Sequence, residues 1–128
     1  MCLLKKSIIP KITLKPKTVY KIINKTYNNE YYTHFTGDKV NLEKTYSGKF
    51  FKLDVFSFLF SKYIDSGFIH SYSEKNNLEL TILEYKEQTT EKLILVKCEI
   101  PKFTLYYEGY GDEIASRRLK YIEVVKEL

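Results

Sequence analysis

The chain has 128 residues, of which 44% are apolar and 16% aromatic, and carries a formal net charge of +5. That size and composition suit one folded domain and exclude an intrinsically disordered chain, since no Gly/Ser-rich or Pro-rich run interrupts the apolar residues. No stretch approaches the roughly 18 apolar residues that span a bilayer. The opening Met1-Cys2-Leu3-Leu4-Lys5-Lys6 also reverses the charge-then-apolar order of a signal peptide, so the sequence predicts a cytoplasmic protein without a membrane partner.

Charge is unevenly spread. Seven lysines (Lys5, Lys6, Lys11, Lys15, Lys17, Lys21 and Lys25) precede the first carboxylate, Glu30, and from there on 14 basic side chains face 16 acidic ones. A polyanion-binding arm has this asymmetry, because each lysine near a phosphate releases condensed counterions. A lysine-rich, arginine-poor composition with many Ile, Asn and Tyr is also what an AT-rich coding sequence produces with no ligand involved. Both readings stand at this point.

In chain order, Pro10 and Pro16 bracket Lys11–Lys15 and keep residues 1–17 as a basic, extended N-terminal arm. Thr18–Asn24 is rich in β-branched and aromatic residues and reads as a strand, followed by Tyr31–Thr36 and a Gly37-Asp38 turn into Val40–Leu42. Asp54–Ile64 carries Val55, Phe58, Leu59 and Tyr63 at helical spacing and is read as a helix, although its Phe-rich composition also suits a strand. Gly67–Tyr72 is a short strand. Ser73-Glu74 then opens a helix whose Leu78, Ile82 and Tyr85 share a face and which ends near Thr89-Thr90. Leu93–Ile100 is the clearest strand, with Ile94, Val96, Cys98 and Ile100 forming an apolar face that predicts a buried Cys98. Thr104–Tyr107 and Leu119–Val125 complete the set, with Gly109 and Gly111 flanking a turn. The expected class is α+β: one domain over 1–128, a mainly antiparallel twisted sheet with one or two helices packed on it.

Chemistry-bearing patterns are sparse. Cys2 and Cys98 are too isolated for a disulfide framework or a zinc site, and His34 and His70 sit in no metal or triad spacing. Five scattered glycines cannot form a phosphate-cradling loop. No catalytic residue, cofactor or metal is therefore expected. His70 reads as a half-buried imidazole bonded to backbone carbonyls. Arg117-Arg118 supply two guanidinium forks able to grip phosphate or carboxylate, or a solvated turn. Tyr31-Tyr32 and Tyr106-Tyr107 are each expected to put one ring in the core and one outside, where it stacks on a base or a partner or simply covers the sheet.

Met1-Cys2-Leu3, Ile9-Pro10-Lys11, Val19-Tyr20-Lys21, Gly67-Phe68-Ile69-His70-Ser71, Lys97-Cys98-Glu99-Ile100-Pro101-Lys102, Tyr106-Tyr107-Glu108-Gly109 and Ala115-Ser116 together resemble a group of small proteins carried by bacteriophages and mobile elements. Relatives in that group usually have a glycine where Phe103 stands. The resemblance implies an anti-defence role of the anti-CRISPR kind: a non-enzymatic protein that binds an RNA-guided nuclease, another defence ribonucleoprotein, or its RNA. The leader lysines, with Arg117 and Arg118 second, would make the contact. A second set, Ser71 and Ser73 on a strand followed by a helix and then Ile100-Pro101-Lys102, with Glu113 as the late acid, is similar to the ADP-ribosyltransferase core and implies NAD-dependent chemistry. Tyr20 and Lys21 stand where that family holds NAD with arginine or histidine. A small virion protein with a tyrosine-rich interface is the third expectation.

Overall fold

The structure, a computed structural model, describes residues 3–4, 9–34, 37–48, 63–64, 68–75 and 78–128. Its centre is a three-strand antiparallel block. Strand β3 (Lys17–Lys25) pairs along its whole length with β9 (Lys92–Ile100), in a register running from Lys17 opposite Ile100 to Lys25 opposite Lys92. Strand β12 (Arg118–Glu127) lies on the other side of β9, with irregularities after Tyr121 and Val124 that bend its outer half. These segments are strands because Val, Ile and Tyr alternate on a two-residue period, and β9 is apolar on both faces because both are covered.

From β3 the sheet extends through β8 (Ile69–Tyr72), β11 (Glu113–Ser116) and β10 (Leu105–Glu108) to the edge strand β2 (Lys11–Ile12). From β12 it ends at β6 (Thr45–Ser47). Strand β4 (Tyr31–Thr33) pairs with the last residues of β3 and carries β5 (Lys39–Val40). Because β4 borders β3 and β6 borders β12, the chain between them crosses one face of the central block. Val40 is buried there, with Leu42 and Tyr46 packed beside it. A separate two-stranded pair joins β1 (Leu3–Leu4) to β7 (Tyr63–Ile64).

The main core lies on that crossed face. Val19, Cys98 and Tyr121 form one row across β3, β9 and β12, flanked by Ile23, Ile94, Val96, Ile100 and Leu119, all buried. On the opposite face, helix α1 (Glu79–Gln88) covers Ile22, Leu93 and Leu95 with Leu78 and Tyr85, with Ile82 alongside. His34 stacks on Tyr85 at 4.1 Å, and its ring nitrogens lie 2.9 Å from Asn24 Oδ1 and 2.7 Å from Gln88 Oε1, which ties the helix end to β3. A smaller cluster of Phe68, Tyr107 and Ala115 fills the same side nearer β10.

A sheet-dominated domain with a single short helix among the described residues is thus the coarse form of the expected class. Several finer expectations change. The helix begins at Glu79 rather than Ser73, because the Ser73 amide still donates to Asp112 O at 2.8 Å and holds the chain to the sheet. Tyr63–Ile64, expected at a helix end, is strand paired to β1, and the rest of the 54–64 reading lies outside the described residues. Tyr106 and Tyr107 are both buried, at 9% and 1% exposure, because β10 is internal and covered on both sides. No helix among the described residues is long and apolar enough to cross a membrane.

Ile94 is fully buried at the centre of the longest ladder. Truncating it to alanine is expected to cost about 2–5 kcal/mol of unfolding free energy, read as a lowered urea midpoint with an unchanged slope.

Candidate functional site

The ladder first decides where the leader lysines go. Lys17, Lys21 and Lys25 are spaced by four on a strand, so all three share the face of Val19 and Ile23 and are strung along the full length of β3. Lys25 Nζ reaches Glu127 at 2.9 Å. Lys11, on the edge strand, reaches Glu108 at 3.0 Å. Both ammonium groups are held protonated more firmly by these carboxylates.

Lys21 is taken inside. After Tyr20, which pairs with Tyr72 of β8, β3 changes neighbour and turns to β4 at Ile23. At this split the Lys21 ammonium donates to His70 O at 2.8 Å. Burial lowers its pKa from the ordinary 10.5 to about 8. His70 was expected to bond backbone carbonyls through its ring. Instead both ring nitrogens are buried without a hydrogen-bond partner among the described residues, and it is the His70 carbonyl that is used. Burial, with the Lys21 charge nearby, pushes the imidazole down to about 4 and keeps it neutral. Cys98 is buried near Lys21, and burial pushes its thiol up to about 12, which disfavours the thiolate. Lys5 and Lys6 lie outside the described residues.

The remaining candidates meet at one end of the sheet. Thr13, 5% exposed, is the knot there. Its amide donates to Thr104 O at 3.1 Å, its carbonyl accepts from Phe103 N at 2.8 Å, and its hydroxyl accepts from Thr104 N at 2.9 Å and donates to Pro101 O at 2.6 Å. The β2–β3 turn is thereby locked to the β9–β10 turn. Arg118 adds the third connection: its Nη2 donates to Lys102 O at 3.1 Å and to Thr104 Oγ1 at 3.0 Å, while Arg117 N donates to Leu105 O. Lys17, opposite Ile100, completes the set beside Lys15. Three connections far apart in sequence therefore bring the backbone segments that carry Lys15, Lys17, Lys102, Arg117 and Arg118 to the same end of the sheet. The three ion pairs among the described residues, which include Lys39–Glu30, involve none of the first three nor Arg118.

Phe103 crowns this end. It is 66% exposed, with the Lys102 ammonium 4.7 Å from its ring centroid, and Leu14 beside the same turn is 78% exposed. Its φ is +60°, a left-handed conformation that costs a residue with a Cβ roughly 1–2 kcal/mol. Asn29 and Asp112 share that region but are types that tolerate it; Phe103 and Glu43 are not. The expected departure from a glycine-bearing turn thus leaves the turn intact, held by the Thr13 bonds. Lys102 and Phe103 were missed as site residues. A Lys-Phe pair behind a proline, between two strands, was the available signal.

The ADP-ribosyltransferase-like residues are differently disposed. Glu113 pairs with Tyr72, so it shares the helix-covered face, whereas Ser71 pairs with Ile114 and points into the main core, 1% exposed. Ser73 Oγ donates to Asp112 O at 3.3 Å. Burial raises the Glu113 carboxyl above its usual range. Among the described residues no group of three or more His, Cys, Asp or Glu side chains is placed to hold a metal ion.

No family model, no curated protein and no solved structure matches this chain.

Lys21 makes a pH prediction with a definite sign. Its folded pKa lies below its unfolded one, so the unfolded chain binds more protons between about pH 8 and 10.5, and this residue's contribution to stability rises with pH in that window. Cys98, which titrates in the opposing sense and is coupled to Lys21, is removed by making the comparison of Lys21 with Lys21→Met in a Cys98→Ala background. The Lys21 protein is expected to gain about 1 kcal/mol relative to Lys21→Met between pH 8 and pH 9 in urea unfolding. A pH-independent difference would show the ammonium to be solvated.

Proposed function

We propose that the protein is a phage-type anti-defence protein that acts by binding, gripping the RNA of an RNA-guided nuclease with the basic end of its sheet. The observation that carries this reading is the convergence of Lys15, Lys17, Lys102, Arg117 and Arg118 from three separate connections. Among the described residues Lys15, Lys17 and Lys102 form no ion pair, whereas Lys11 and Lys25 elsewhere take carboxylate partners, so the charge at this end is available to an anion. The sequence resemblance to phage-borne proteins supplies the anti-defence setting.

The geometry suits a strand of phosphates better than a point anion. Ammonium groups on flexible stems follow a backbone without fixed register, and the Arg118 fork is preset by its two bonds to the β9–β10 turn. Attraction of this kind speeds capture and is screened by salt.

The test is fluorescence anisotropy of a labelled guide-type RNA, together with co-purification of the protein with a nuclease ribonucleoprotein. Binding is expected at low salt and should weaken steeply toward physiological salt. Lys15→Glu with Lys102→Glu is expected to lower the affinity at least about tenfold and to flatten the salt dependence, while Lys25→Glu has a much smaller effect. Equal losses from both variants would remove the basic end from the reading. An interaction with the nuclease that survives digestion of its RNA would overturn the choice of RNA.

A further inference from the structure

From the exposed, strained ring beside Lys102 we infer that the site takes unpaired nucleotides, with a base stacked on Phe103 and a flanking phosphate on Lys102. The inference rests on the RNA-binding reading above and narrows it to single strands.

Two independent costs attach to Phe103. Its backbone sits at φ +60°, where a bulky residue is an outlier, and its ring is left 66% exposed to water. Neither is needed for the turn. The turn is fixed by Thr13, which is buried and bonded to Phe103 N, Thr104 N and Pro101 O, so the left-handed conformation is imposed from outside the Phe103 side chain. A glycine would sit there more easily. The ring is therefore a feature of the surface, not of the fold, and strain held in place by surrounding bonds marks functional positions.

The chemistry of its neighbours selects the ligand. The Lys102 ammonium lies over one face of the ring, 4.7 Å from its centroid, so a base stacked on the other face would have a charge within reach of its phosphate. In a duplex the base faces are occupied by their neighbours, so Phe103 has nothing to stack on and only the charges remain. An apolar protein partner would use the ring but would have to bury the Lys102 ammonium beside it, and lysine is depleted from the cores of protein interfaces.

The experiment compares short single-stranded and duplex RNA of equal phosphate number, with 2-aminopurine placed in the single strand. The chain contains no tryptophan to interfere. Phe103→Leu removes the aromatic face and keeps an apolar side chain; Phe103→Gly also relieves the backbone. Both are expected to lose roughly tenfold in affinity for the single strand and to leave duplex binding unchanged. Quenching of 2-aminopurine on binding should be strong for wild type and absent for Phe103→Leu. Phe103→Gly should unfold at a higher temperature than wild type, which separates lost stacking from lost folding. If both variants hold the single strand as tightly as wild type while Lys102→Glu weakens it, stacking is overturned and the basic end stands. If wild type binds no RNA at low salt, both readings fall together.

Discussion

The antiparallel ladder between β3 and β9 governs the molecule. Every residue of Lys17–Lys25 has a partner in Lys92–Ile100, so the register is fixed over its full length, and a slip by one residue would turn Val19 and Ile23 outward and Ile22 toward the wrong core. The same register places Cys98 opposite Val19 in the main core and Leu95 opposite Ile22 beneath the helix. With both faces of β9 covered, the strand carries apolar residues on successive positions, which an antiparallel strand wetted on one side would not tolerate.

That ladder also sorts the charges. A four-residue spacing on a strand sends Lys17, Lys21 and Lys25 to one side, the side of the main core, and only the ends of the strand are near water. Lys25 leaves at one end and finds Glu127; Lys17 lies at the other, opposite Ile100; Lys21, half-buried between them, takes a carbonyl where the sheet splits. Linear crowding of lysines in the sequence is thus divided three ways in space, and the group that forms instead draws Lys102, Arg117 and Arg118 from distant connections.

Strands rich in β-branched and aromatic residues were legible: β3, β9 and β12 stand within a residue or two of their expected bounds, and the burial of Cys98 follows from its place on the apolar face with Ile94, Val96 and Ile100. Glu113–Ser116 was not legible as a strand, because Glu, Ala and Ser have little β preference and only the pairing with β8 and β10 on either side makes it one. The two buried rings of Tyr106-Tyr107 escaped a reading that assumed one wet face. Of the residues proposed to bind, Lys15, Lys17, Arg117 and Arg118 were singled out by charge, but their shared end of the sheet was not, since it depends on the Thr13 hydroxyl and an ordinary threonine announces nothing in a sequence. Phe103 was noticed for the glycine it displaces rather than for the surface it makes.

The Thr13–Thr104 bonds join residues 91 positions apart. Long-range pairing of this sort makes assembly slow, because the closing entropy has to be met before any contact rewards it. During translation, β4 can pair with the end of β3 as soon as it is made, but the long partner β9 begins only at Lys92, and until it arrives Ile22 lacks its partner Leu95. Cations on either side of such a hydrophobic strand act as gatekeepers, repelling other nascent copies until the proper partner is made.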